Sequence, residues 1–157
     1  MAKTRQELKN DLTSVLNKLV EQDYGIDAVF VLELKNNFSL GASSTGNGRY
    51  PDLVNKLGGK GAGGAGGKGV TYMSVLQNLK RQMDFFGQET EISDLKYAIL
   101  QFGEGTVFAY IYLPKNTPIA ICFVNKKSEG DALGNMVFFC EENVDEVWEI
   151  VEQLVSR

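Results

Sequence analysis

The residue types that most often carry out chemistry are scarce in this chain. Among its 157 residues there is no histidine. That removes Ser-His-Asp and Cys-His catalysis, the commonest metal ligand and the usual proton shuttle near neutral pH. The two cysteines, Cys122 and Cys140, each lie inside an apolar run, and neither belongs to a C-x-x-C motif. They read as buried thiols in a reducing compartment, or as a disulfide or redox pair. Carboxylates cluster at Glu89 and Glu91, at Glu141 and Glu142, and at Asp145 and Glu146. None of these clusters has the alternating acids, central glycine and distal glutamate of a calcium-binding loop. The last two sit where a helix is expected to start, and negative charge suits that end of the helix dipole. No metal and no cofactor is expected from these residues.

Residues 58–69 (GGKGAGGAGGKG) hold eight glycines in twelve positions and invite a phosphate-binding reading. A P-loop requires G-x-x-x-x-G-K-[ST], because backbone N–H groups wrap the phosphates and the hydroxyl holds magnesium. Counted back from Gly67 and Lys68, the first glycine position holds Ala62, and the hydroxyl position holds Gly69. Both ends of the motif fail. The segment reads as a flexible loop. A partner-binding loop, or an anion site formed by Lys60, Lys68 and the start of the following helix, stays open.

The elements around these residues follow from periodicity. Leu8, Leu12, Val15, Leu16, Leu19 and Val20 mark one buried face of a first helix. Thr4 and Glu7 are spaced for a capping box, and Gly25 lies past the end. Residues 27–35 and 38–43 read as a hairpin turning at Asn36 and Asn37. Residues 44–50 are turn-like, and Pro51 can start a short helix. A second helix is expected over 70–86, with Lys80 and Arg81 suited to its C-terminal half and Gly87 ending it. Strands follow at 95–102, 106–113 and 119–124, with turns at 103–105 and 114–116. After a surface loop at 128–131, residues 136–140 (MVFFC) read as one more strand. A last helix is expected over 144–156, capped by Asn143 with Glu146. The strand at 106–113 alternates Val107, Ala109 and Ile111 with Phe108, Tyr110 and Tyr112. Neither set is charged, so both faces of the sheet are expected to be covered. The fold class is therefore α+β: a central, mostly antiparallel sheet of five to six strands with helices on both faces, forming a single domain over 1–157.

Composition narrows the partners. The net charge is -4, and Lys and Arg are scattered, so nucleic acid is not an expected partner. No stretch approaches the roughly 18 apolar residues of a membrane span, and no secretory leader is visible, so a cytoplasmic location without membrane insertion is expected.

The order of elements resembles the roadblock family, which includes dynein light chains and bacterial regulators of small Ras-like GTPases. The resemblance runs from Leu8 to Leu154. It rests on the hairpin DAVFVLELKNNFSLGAS, the middle helix YMSVLQNLKRQMDFF, the strands YAILQF, VFAYIYL and IAICFV, and the closing helix VDEVWEIVEQLV. The sequence departs from the pattern at the Asn36-Asn37 turn, in the glycine run and in the long stretch over 125–140. Profilin-like, longin-like and small sensory folds share related layouts. The resemblance implies a homodimer paired through the middle helix and the neighbouring strand. It would put Tyr72, Leu76, Leu79 and Met83 near a two-fold contact, and Tyr97 and Ile99 on the joined edge. An uncharged edge strand such as YAILQF is an aggregation hazard unless something pairs with it. The alternative is that all six residues lie in the monomer core.

These observations lead to a non-enzymatic dimeric scaffold or regulator, with a small Ras-like GTPase as a candidate partner. The alternative is a small-molecule-binding sensory domain whose pocket Phe108, Tyr110 and Cys122 would line.

Overall fold

Thr4 and Glu7 open the first helix as their spacing predicts. The Thr4 N–H donates to Glu7 Oε2 at 2.6 Å, and the Glu7 N–H donates to Thr4 Oγ1 at 3.2 Å. Two of the orphan donors at the helix start are thereby satisfied. The same bonds hold the Glu7 carboxyl below its usual range. The structure, a computed structural model, describes residues 2–21, 26–35, 38–44, 72–112, 117–125 and 130–156.

Within these residues the elements are α1 (Arg5–Glu21), β1 (Ala28–Glu33), β2 (Phe38–Ser44), α2 (Tyr72–Glu89), β3 (Tyr97–Phe102), β4 (Gly105–Tyr112), β5 (Ile119–Asn125) and α3 (Gly130–Val155). The five strands form one sheet in the order β2-β1-β5-β4-β3, and every neighbouring pair is antiparallel. The pairing of β1 with β5 joins residues some ninety positions apart, with Val29 opposite Phe123 and Val31 opposite Ile121. It places β2 and β3 at the two edges.

Side-chain alternation divides the interior into two cores. Val29, Val31, Phe108, Tyr110, Ile121 and Phe123 point to the face covered by α1 and α3. Phe30, Leu32, Ala109, Ile111, Ala120 and Cys122 point to the other face, where Leu76 of α2 joins them. Both sheet faces are thus covered, as the uncharged β4 implied. α1 crosses β2 closely at Gly41. A Cβ there would stand 3.0 Å from Leu12 Cδ2 and 3.3 Å from Leu16 Cδ1, both in side chains of the first core.

Three sequence expectations fail for identifiable reasons. Residues 136–140 are not a strand but part of α3, a helix of 26 residues. Phe138 is exposed while Phe139 and Cys140 are both buried, which fits a helical repeat rather than strand alternation. A short apolar run does not distinguish the two by itself. No Gly or Pro interrupts the chain between 135 and 155. Asn143 consequently lies inside the helix and donates its Nδ2 to the Phe139 carbonyl at 2.8 Å, so it is not a cap.

Gly87 does not end α2. It is buried within the last turn, and the helix continues to Glu89. The end is a Schellman motif: the Ile92 N–H donates to the Gly87 carbonyl at 2.8 Å, and the Glu91 N–H donates to the Gln88 carbonyl at 3.2 Å. The left-handed position is held by Glu91, with φ 61°, where glycine is the usual choice. Glu91→Gly is therefore expected to raise the unfolding free energy by about 1 kcal/mol. Urea unfolding of the two proteins checks this.

The expected turns at 36–37 and 114–116, the cap at Gly25, the turn-like 45–50, the helix start at Pro51 and the glycine-rich 58–69 lie outside the described residues.

Candidate functional site

α2 carries two different faces. Leu76, Lys80 and Gly87 fall on one stripe and are buried. Rotated away from it, Val75, Leu79, Met83 and Phe86 recur at i, i+4, i+8 and i+11. Leu79 is half-buried, but Val75 is 51%, Met83 37% and Phe86 55% exposed. This second stripe is apolar and has no covering element among the described residues. Such a face usually marks an interaction surface.

The inward stripe is held by an ion pair that the sequence reading missed. Lys80 was expected to be a cation complementing the helix dipole. Instead it is only 7% exposed, and its ammonium donates to Asp84 Oδ1 at 2.9 Å and to the Leu95 carbonyl at 2.7 Å. Asp84 Oδ1 also accepts the Leu95 N–H at 2.8 Å. The pair therefore satisfies both backbone polar groups of Leu95 and clips α2 to the segment that begins β3. The available signal was positional: an i, i+4 Lys/Asp pair on the same stripe as Leu76. The order Lys before Asp is the poorer one for an isolated helix, so the pair acts through tertiary structure rather than helix propensity.

β3 is an edge strand with Ile99 and Phe102 exposed. Tyr97 is half-buried, with its ring 5.1 Å from that of Tyr110. The pairing of Tyr97 with Tyr110 and of Ile99 with Phe108 puts both residues on the face of α1 and α3. The six expected contact residues therefore do not form one flat patch. Leu76, Leu79 and Met83 belong to α2 on one side of the sheet, and Tyr97 and Ile99 project on the other side at its open edge. Leu76 is core, buried against the second face. Tyr72 opens α2, and its side chain is outside the described ones.

Where β4 extends past the first paired residue of β3, a cleft of about 490 Å³ opens. Lys80 and Asp84 line it from α2, Asp94, Leu95 and Lys96 from the connection, Tyr110, Ile111 and Tyr112 from β4, and Glu141, Val144 and Asp145 from α3. Glu141 receives Lys96 Nζ at 2.9 Å and the Tyr110 hydroxyl at 3.3 Å. Burial, and secondarily Cys140 and Glu141, push the Tyr110 phenol well up. Tyr112 is pushed up to about 12 by burial, then by Asp145 and Glu141. Its ring stacks on Trp148 with centroids 4.1 Å apart.

Of the residues expected to line a pocket, only Tyr110 reaches the cleft. Phe108 and Cys122 are packed in the cores on opposite sheet faces. Both cysteines are free and buried, and they too lie in different cores. Desolvation pushes each thiol up to about 12, so neither is an activated nucleophile. Among the described residues, no group of three or more His, Cys, Asp or Glu is placed to hold a metal ion, and no helix is long and apolar enough to cross a membrane.

No family model and no curated protein matches the sequence. Solved structures do match. Myxococcus xanthus MglB matches with a TM-score of 0.57 and 14% identity, over 98% of this chain and 96% of that one. The gliding protein MglB from Thermus thermophilus gives 0.63 at 9% identity, over 98% and 95%. An MglB with a tetrameric arrangement gives 0.64 at 9% identity over the same shares. At these identities the likeness is one of fold.

Proposed function

We propose that this chain, which has the roadblock fold, is a non-catalytic dimeric scaffold that regulates a small Ras-like GTPase. The observation that carries the dimer is the apolar stripe Val75, Leu79, Met83 and Phe86, exposed at all but half-buried Leu79, on a helix clipped to an open edge strand. A two-fold operation through this region would pack stripe on stripe and pair β3 with its copy. It would continue the sheet and remove a hazardous edge in one step. One matched structure is an MglB with a tetrameric arrangement, so self-association occurs in a protein of this fold. The GTPase part of the reading draws on the family's bacterial regulators.

Val75 and Phe86 are exposed enough to be changed without entering the core. The double variant Val75→Glu, Phe86→Glu is expected to keep its circular dichroism and to dimerise roughly 100-fold more weakly, as placing a charge at each end of an apolar contact implies. Affinity capture from the native cell, with nucleotide added, tests the partner. A Ras-like GTPase recovered with the unmodified protein supports the reading. A well-folded dimer that recovers none in either nucleotide state contradicts it.

A further inference from the structure

The cleft at the end of β4 is not used by the dimer reading, and its chemistry is specific. It holds four carboxylates, Asp84, Asp94, Glu141 and Asp145, against two ammonium groups, Lys80 and Lys96. A ligand entering it meets an excess of two negative charges. Its inner end is the buried pair Lys80–Asp84. Lys80 uses two of its three protons, and Asp84 takes both of its bonds on Oδ1. One ammonium proton and one carboxylate oxygen are therefore left without partners among the described residues. A spare donor beside a spare acceptor complements the carboxylate and ammonium of an α-amino acid. At the outer end, Asp145 is exposed and accepts no hydrogen bond among the described residues. It lies near the ring of Tyr112, the carboxylate of Glu141 and the ammonium of Lys96, which is itself bonded to Glu141. That end suits a second positive charge by ion pairing. A volume of about 490 Å³ is within the range of small-ligand sites.

We propose that this cleft binds a free cationic amino acid, with its α-carboxylate on Lys80, its α-ammonium on Asp84 and its side-chain cation on Asp145. The protein carries its own reporter. Trp148 is the sole tryptophan and stacks on Tyr112 of the cleft wall. Titration of the full chain with L-arginine is expected to change Trp148 fluorescence saturably. L-citrulline has the same shape without the side-chain charge and is expected to bind at least tenfold more weakly, and L-glutamate weaker still. Asp145→Asn removes a solvent-exposed charge outside the core, so its fold should hold. It is expected to weaken arginine binding at least fivefold while leaving the far-ultraviolet spectrum unchanged. No saturable response to arginine up to roughly 10 mM, an equal response to citrulline, or an unchanged affinity in Asp145→Asn would each overturn the assignment.

Discussion

An alanine at position 87 is expected to lower the unfolding free energy by about 3 kcal/mol or more, among the largest losses a point change causes outside catalysis. The added Cβ would overlap the Ser93 carbonyl oxygen and stand 2.9 Å from its carbon. The obstacle is backbone, so no rotamer change relieves it. The segment that would have to move is the Schellman turn, whose bonds from Ile92 and Ser93 both end on the Gly87 carbonyl. Displacing it would uncouple α2 from β3. Gly103 supplies the control, since a Cβ there meets nothing within 4 Å. Gly103→Ala is expected to stay within about 0.5 kcal/mol of the parent. Urea unfolding of the three proteins, read by circular dichroism, separates a steric cost from a general glycine effect.

Asp84→Ala is expected to cost about 3–5 kcal/mol, the range for removing one partner of a buried pair. The side chains of Lys80 and Asp84 are only 8% and 14% exposed. Removing Asp84 leaves an ammonium without its counter-ion and the Leu95 N–H without its acceptor. Asp84→Asn keeps an acceptor for that N–H and should lose less. The ordering of the three proteins in urea midpoint tests whether charge or backbone satisfaction dominates. Added salt should change it little, because both side chains are largely buried. The pairs Lys3–Asp11 and Lys96–Glu141 are far more exposed, and their removal should be hardly visible in the same assay.

Where an element is built from neighbours in sequence, its signal was readable. The Thr4–Glu7 capping box and the stripe from Leu8 to Val20 were legible because both partners lie within a turn or two of each other. The strands were legible because turn residues bound short runs rich in strand-forming residues. α3 was misjudged at 136–140 because a short apolar run fits either period, and only packing against α1 decides. Lys80 was misjudged because its burial depends on Leu95, fifteen residues away. The candidate site was half legible for the same reason. The stripe on α2 is local and periodic, but the same periodicity groups Leu76 with Leu79 and Met83, and Leu76 is buried against the sheet. That β3 is an open edge follows from the pairing of β1 with β5, which no local pattern encodes. The cleft was not legible at all, since three separate elements and a connection converge on it.

The central claim is that the exposed stripe of α2 and the free edge of β3 meet their own copies. Sedimentation equilibrium of the full chain tests it most directly, because the protomer mass of 17.3 kDa separates the two outcomes cleanly. A species of twice that mass is expected at protein concentrations of roughly 10–100 µM, reverting to the protomer mass in Val75→Glu, Phe86→Glu. A protomer mass for the unmodified chain throughout that range would contradict it.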